Sequence, residues 1–412
     1  MKISFNSIAA VCLLGWGIQA QAQNLQDVIR TALTDYPATK AVQAGVDSAQ
    51  AEIERARGAQ MPTLSLNASS TRWDGAQTQN LVTPLLVYKT PLGGRVQADI
   101  RRSESAAQIA KAKVLLQRDE VALQVAEAWL AMVRGQEMVK LAKANLLQHE
   151  AILGDIQKIV DVDAGRTIDL VQAQVRVESA RINWVQRESE LAQAKEKLAR
   201  FWGQPLSPEA FAAYPNLPKS IANSEQQALA QIQSVPAILQ AQAQLEEAQA
   251  RVEAAKAQYK PTLDVSLGRE YTGVVGGNQA KLQAQFSWPI YNGQQTDASV
   301  RAAQSQAVAA QDTLNEVTLM ARERVRLAYT EWQAAQDRAR IASQQRSQGE
   351  KLVAGYQQQF RMARRSLLDL LNIQSEYASY QQSAALAHYD VKLSEYRISA
   401  ALGELAAQFA QP

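Results

Sequence analysis

LNEVTLMARERVRLAYTEWQAAQDRARIA, residues 314–342, decides how this chain folds. Leu314, Ala321, Ala328, Ala335 and Ala342 recur at every seventh position, and Val325, Trp332 and Ala339 form a companion row. An apolar repeat of about 3.5 residues sustained this long marks a coiled-coil seam rather than the stripe of an ordinary core helix. From Gly293 to Phe360 there is no proline, and the only internal glycines are Gly349 and Gly355. At about 1.5 Å per residue this arm spans roughly 100 Å, a length that no compact domain needs. A turn at Arg364, Arg365 and Ser366 leads into a second long arm that reaches about Leu402.

The earlier part of the chain follows the same plan. Pro37 and Pro236, Pro62 and Pro261, and Gly94 and Gly293 are 199 residues apart; Trp129 and Tyr329, Asp169 and Asp369, Gln174 and Gln374, and Gly203 and Gly403 are 200 apart. Such a repeat sets the architecture before any local reading does. After Pro62 the apolar period drops from about 3.6 to 2, with Leu64, Leu66 and Ala68 alternating with polar neighbours, so strands are expected at about 62–73 and 79–88. Pro84 weakens the second of these. The same alternation predicts strands at about 261–272 and 280–290. Val125, Met132, Val139 and Leu146 repeat at seven in the first long helix. The expected organisation is a first repeat over 23–204 with a helical hairpin at 94–202, a connector at 205–222, and a second repeat over 223–412 with a helical hairpin at 293–410. A short amphipathic helix with Leu25, Val28, Ile29 and Leu33 on one face opens the first repeat.

Residues 1–22 have the layout of a secretory signal: Lys2, an apolar stretch from Ile8 to Ile18, and the small-x-small site Ala20-Gln21-Ala22, with cleavage expected after Ala22. The single cysteine, Cys12, follows Val11 inside this signal, which argues against lipidation and leaves no thiol or disulfide in the mature chain. Later in the chain no apolar run reaches about 18 residues, so any membrane crossing must be by strands. With 43 basic and 40 acidic residues interleaved, no nucleic-acid partner is expected. His149 and His388 lie on different hairpins, there is no glycine-rich phosphate loop, and no enzyme, cofactor or metal site is predicted.

The predicted strands match the roughly 9 to 11 residues that cross a bilayer when tilted. Four strands cannot close a barrel, and open edges in lipid leave backbone groups unpaired. Three copies would give twelve strands above a tube of helices. The fold class is therefore mainly α with a small membrane β-barrel part, the protomer being two repeats of coiled-coil hairpin and β-hairpin. Trp73, Tyr88, Tyr271, Trp288 and Tyr291 stand at strand ends, as aromatics at a membrane interface do.

With the turn Arg364-Arg365-Ser366-Leu367-Leu368-Asp369-Leu370-Leu371-Asn372 and the Pro289–Gly293 junction, the mature chain resembles the TolC family of trimeric outer-membrane channels of Gram-negative bacteria. This turn and the stretch from Ala387-His388-Tyr389-Asp390 to Leu402-Gly403 are similar to type I secretion members, including exporters of adhesins. The resemblance implies a homotrimer in outer-membrane lipid that reaches into the periplasm. It would be a passive duct for a periplasmic membrane-fusion adaptor and an inner-membrane ABC or other transporter. Small-molecule efflux is the alternative cargo, and a periplasmic coiled-coil scaffold the alternative protein. It further implies a hairpin-to-hairpin gate at Asp169 and Arg365, with Phe360 where a tyrosine is usual. The entrance constriction would fall at Asp369, with Asn372 replacing a second acidic ring. Adaptor docking falls to Arg361, Arg364 and Ser366.

Overall fold

The computed structural model describes residues 25–72, 74, 78–203, 224–272 and 278–410. The signal stretch 1–22, Trp73, the 205–222 connector and the turn 273–277 lie outside these residues. After helix α1 (Leu25–Asp35), α2 (Pro37–Gly58) begins on a proline at its first turn, where the missing N–H costs nothing. Pro236 starts α6 (Pro236–Lys256) in the same way. The two long helices are α3 (Arg95–Val160, 66 residues) and α7 (Gln295–Arg361, 67 residues). Their return arms are α4 (Thr167–Trp202) and α8 (Leu367–Ala401); short helices α5 (Glu225–Ala230) and α9 (Leu405–Ala410) complete the set.

Each long helix runs unbroken beside shorter ones, and α3 also packs on α6 and α8 of the other repeat. α3 packs on α2 near the sheet and on α4 toward the turn, and α7 packs on α6 and α8 in the same order. At mid-length the short elements gather into a girdle. Leu25, Val28 and Ile29 of α1 are fully buried against Val125, Trp129 and Met132 of α3 and Leu405 and Phe409 of α9. A sister cluster joins Ala228 of α5 and Ile238 of α6 to Val325 and Tyr329 of α7 and Ile398 of α8. Gly403 makes this junction possible. It has φ 72°, and a Cβ there would sit 2.2 Å from Cδ of Pro236, so only glycine serves both the left-handed turn and the close approach.

Strands β1 (Thr63–Thr71), β2 (Gln79–Pro91), β3 (Thr262–Thr272) and β4 (Asn278–Ser287) form one antiparallel sheet in the order β1-β2-β3-β4. β2 is longer than the period suggested, because it runs through Pro84 to Pro91. Pro84 is accommodated on the β1 side opposite Leu66, while the β2–β3 register passes from Val82–Tyr271 to Leu85–Gly268 without pairing it. Proline has no N–H to give that ladder. β4 ends at Ser287 rather than near 290, since Pro289 cannot donate to a ladder.

Candidate functional site: the sheet faces and the hairpin tip

The register sorts the sheet by chemistry. Leu64 opposes Leu86, Leu86 opposes Leu267, and Leu267 opposes Leu282, which makes an apolar row straight across four strands. Val265 with Ala284 and Leu263 with Phe286 extend the same face. No element among the described residues covers it: Leu64 is 77% exposed, Leu66 70% and Leu282 73%. The reverse face carries Thr63, Ser65, Asn67, Asp264, Ser266, Lys281, Gln283 and Gln285, interrupted by Leu81, Leu85 and Val87 of β2. One face thus suits hydrocarbon and the other water, the alternation of a transmembrane barrel wall. Among the described residues, the outer edges of β1 and β4 have no strand beside them.

Of the aromatics expected at the membrane interface, Tyr88 lies in β2 and is partly exposed. Trp288 lies just past β4 and donates its ring N–H to the Tyr259 carbonyl at 3.0 Å. Tyr291, 82% exposed, also lies past the strand. Tyr271 is near the turn end of β3, paired with Asn278.

At the far end, the two helical hairpins meet in an apolar cluster of Ile152 and Ile156 from α3, Val353 from α7, and Leu367, Leu370 and Leu371 from α8, with Phe360 packed against it. Beside it a cleft of about 870 Å³ is lined by both hairpins, with Ile159, Phe360 and Leu370 among its apolar walls and Lys158, Arg166, Arg361 and Arg365 around them. α7 ends with Ala363 at φ 57°. The Ala363 and Arg364 amides donate to the Phe360 and Gln359 carbonyls, a left-handed cap made without glycine. Ser366 and Asp369 then form a reciprocal capping box that starts α8: the Asp369 amide donates to Ser366 Oγ at 3.1 Å, and the Ser366 amide donates to Asp369 Oδ2 at 3.4 Å, with the Ser366 hydroxyl also donating to that oxygen at 2.8 Å.

Within one chain, Asp169 and Arg365 are not brought together. Asp169 accepts from Arg166 at 2.7 to 2.8 Å, closing the turn after α3. Arg365 donates to Gln359 at 3.0 Å, lies over the Tyr356 ring at 4.6 Å, and is 4.0 Å from Asp369. Arg361 and Arg364 are exposed at the tip. Asn372 turns toward the other hairpin, where its Oδ1 accepts from Arg176 of α4 at 2.9 Å.

Sequence reading missed Arg176, and with it Arg397, which reaches Glu127 of α3 and Glu331 of α7 from α8. It also missed Asp119 of α3, which accepts from the Ala406 amide at 2.7 Å and so fastens α9. Burial pushes the Asp119 carboxyl up to about 6, against the pull of that amide and of Arg118. The capping box has the local spacing Ser-x-x-Asp; the other contacts join residues 66 to 287 positions apart and have no local signal.

Among the described residues no helix is long and apolar enough to cross a membrane. Residues 28–204 and 226–404, one stretch in each repeat, match the Outer membrane efflux protein family. Outer membrane protein TolC of Escherichia coli (strain K12) is 23% identical over 454 residues, covering 98% of this chain and 87% of that protein. Protein CyaE of Bordetella pertussis (strain Tohama I) is 24% identical over 422 residues, covering 95% and 87%. The open-state crystal structure of the Neisseria gonorrhoeae MtrE outer membrane channel shares the fold, with a TM-score of 0.80 at 18% identity over 97% of this chain and 93% of that one. The chain belongs to the outer membrane efflux protein family, whose members are outer-membrane channels and not enzymes.

Proposed function

We propose that three copies of this chain close into a twelve-stranded barrel with a helical tube beneath it, a passive exit duct across the outer membrane and periplasm. The observation that carries this reading is the four-stranded sheet with one uncovered apolar face and two open edges. In lipid the edges must be paired, and β4 of one copy beside β1 of the next continues the antiparallel alternation all the way round. That pairing sets the second hairpin of one copy against the first hairpin of its neighbour. Ile168, Val171, Val175, Ile182 and Val185 fit it, being an exposed stripe on α4 at heptad spacing that the chain itself leaves unused.

In this reading Asp169 and Arg365, each held within its own hairpin, exchange those partners for each other between adjacent copies. Exposed pairs contribute only about 0 to 1 kcal/mol, a strength that suits a link meant to open. The Asp369 carboxylates form the entrance ring, and the basic cleft with Arg361, Arg364 and Ser366 receives the periplasmic adaptor of an inner-membrane transporter. The resemblance of the 364–372 turn and the 387–403 stretch to type I secretion members supports protein export, adhesin-like cargo included, over small-molecule efflux.

Deletion of the gene, with the cargo followed in culture supernatant and the cells challenged with toxic small molecules, tests this choice. Loss of a secreted protein without drug hypersensitivity supports export. The converse pattern makes it an efflux duct, and a salt-extractable monomer would make the chain a scaffold instead.

A further inference from the structure

Where the strands give way to helices, large apolar side chains stay exposed. The even-numbered series that carries Leu86 on the apolar face of β2 runs on through Tyr88 to Leu92, and the series that carries Leu282 and Phe286 in β4 runs on to Trp288 and Ile290. Leu92 is 53% exposed and Ile290 86%. The 10 residues of β4, at about 3.3 Å each and tilted by about 40°, rise about 25 Å, the height of the apolar band of a membrane barrel. In the proposed duct Trp288 and Ile290, which follow directly, fall at the depth of lipid headgroups rather than of acyl chains.

This rim is held in place from two sides. The Trp288 ring N–H is fixed on the Tyr259 carbonyl at 3.0 Å, and the Tyr259 hydroxyl donates to Asp297 in the first turn of α7. On the β2 side the Leu92 amide donates to the Pro261 carbonyl at 3.0 Å. Lys260 stands between these ties. Its stem fills the space that Gly93 leaves, where a Cβ would collide with Lys260 Cβ and lie 2.9 Å from the Ala257 carbonyl oxygen. Lys260 is exposed, and no carboxylate among the described residues pairs with it, whereas Lys256, four residues earlier, is paired with Glu253 at 3.0 Å. An unpaired ammonium beside aromatic and aliphatic side chains, continuous with an apolar face, complements a phosphate that carries acyl chains.

We propose that Lys260, with Leu92, Trp288 and Ile290 around it, is a headgroup site for an anionic glycerophospholipid of the leaflet on the helix side, one in each copy. The ammonium takes the phosphate, and the acyl chains lie along Tyr88 and the apolar row of the sheet. The site rests on the duct reading, since only a sheet that stands in a bilayer meets that leaflet. It also accounts for Gly93, because a side chain there would displace the lysine stem.

The test is the lipid retained by the detergent-purified protein after incubation with equal amounts of phosphatidylglycerol and phosphatidylcholine of the same acyl chains, counted by mass spectrometry. Wild type should retain phosphatidylglycerol with about fivefold preference, the worth of one lysine at an anionic surface. Lys260→Gln should abolish that preference, and Lys256→Gln should keep it. Equal retention of the two lipids by wild type, an unchanged preference in Lys260→Gln, or an equal loss in Lys256→Gln would overturn the site. If Lys260→Gln does not assemble, wild type alone decides: its preference should fall as salt rises from about 50 to about 500 mM, and a salt-independent preference removes the lysine from it. A trimer that holds lipid without headgroup preference overturns the site and leaves the duct standing. A soluble monomer that holds no lipid overturns both.

Discussion

Asp119 is a buried carboxylate whose charge is supported by the Ala406 amide and opposed by desolvation, and desolvation wins. Its carboxyl titrates near 3.8 in an unfolded chain and near 6 here. A folded value above the unfolded one means that the group's contribution to stability is full below about pH 3.8 and is lost as pH rises through 6. The loss is on the order of 3 kcal/mol. Asp119→Asn can still accept from the amide and carries no charge, so its stability relative to wild type should grow as pH rises from 4 to 7. Thermal unfolding at pH 4 and pH 7 checks this, and equal pH profiles would contradict it. Ala363, in a left-handed cap, bears a Cβ that this conformation disfavours. Ala363→Gly should therefore stabilise the tip by about 1 kcal/mol, read as slower exchange of the Arg364 amide. Residue identity at the tip was only partly legible in the sequence. Ser366 and Asp369 announce their capping box by spacing alone, whereas the Arg176–Asn372 contact depends on the rotation of two helices 196 positions apart.

Helices and strands were legible because each carries its own period. The change from about 3.6 to 2 at Pro62 and Pro261 marks where coil becomes sheet, and the heptads mark α3 and α7. Strand ends were less so: β2 passes Pro84 because its other edge has β1 to bond with, a fact of sheet order that no single strand contains. The docking of α9 under Asp119 was hidden for the same reason. Within the second hairpin, Gly349 admits Tyr377 and Tyr380 of α8 so closely that a Cβ would lie 3.1 and 2.7 Å from their rings. Gly349→Ala should push α7 and α8 apart and cost about 1 to 3 kcal/mol despite alanine's better helix propensity, measurable as a lower unfolding midpoint. An unchanged or raised midpoint would mean that the rings have room to move.

For the whole molecule, the two sheet faces make opposite predictions for one substitution. Leu282→Arg puts a cation on the apolar face and should cost about 2 to 4 kcal/mol in a bilayer, depleting assembled protein from outer-membrane fractions. Gln283→Arg, the adjacent residue on the polar face, should assemble normally and shift conductance toward anions. Equal tolerance of both would contradict the assignment of faces. In the same bilayer assay, Asp369→Asn should weaken cation preference, and selectivity like that of wild type would remove Asp369 from the entrance.

The near-equal lengths of α3 and α7, 66 and 67 residues, have a further consequence. Because the hairpins share one sheet at one end and one apolar cluster at the other, neither can lengthen alone without shearing both. In the proposed duct, reach across the periplasm is therefore a ruler graduated in heptads. One added seven-residue unit moves the tip by about 10 Å, and only when it is inserted in all four arms at once. Cells with a deeper periplasm need a chain longer by about 28 residues, not a looser one.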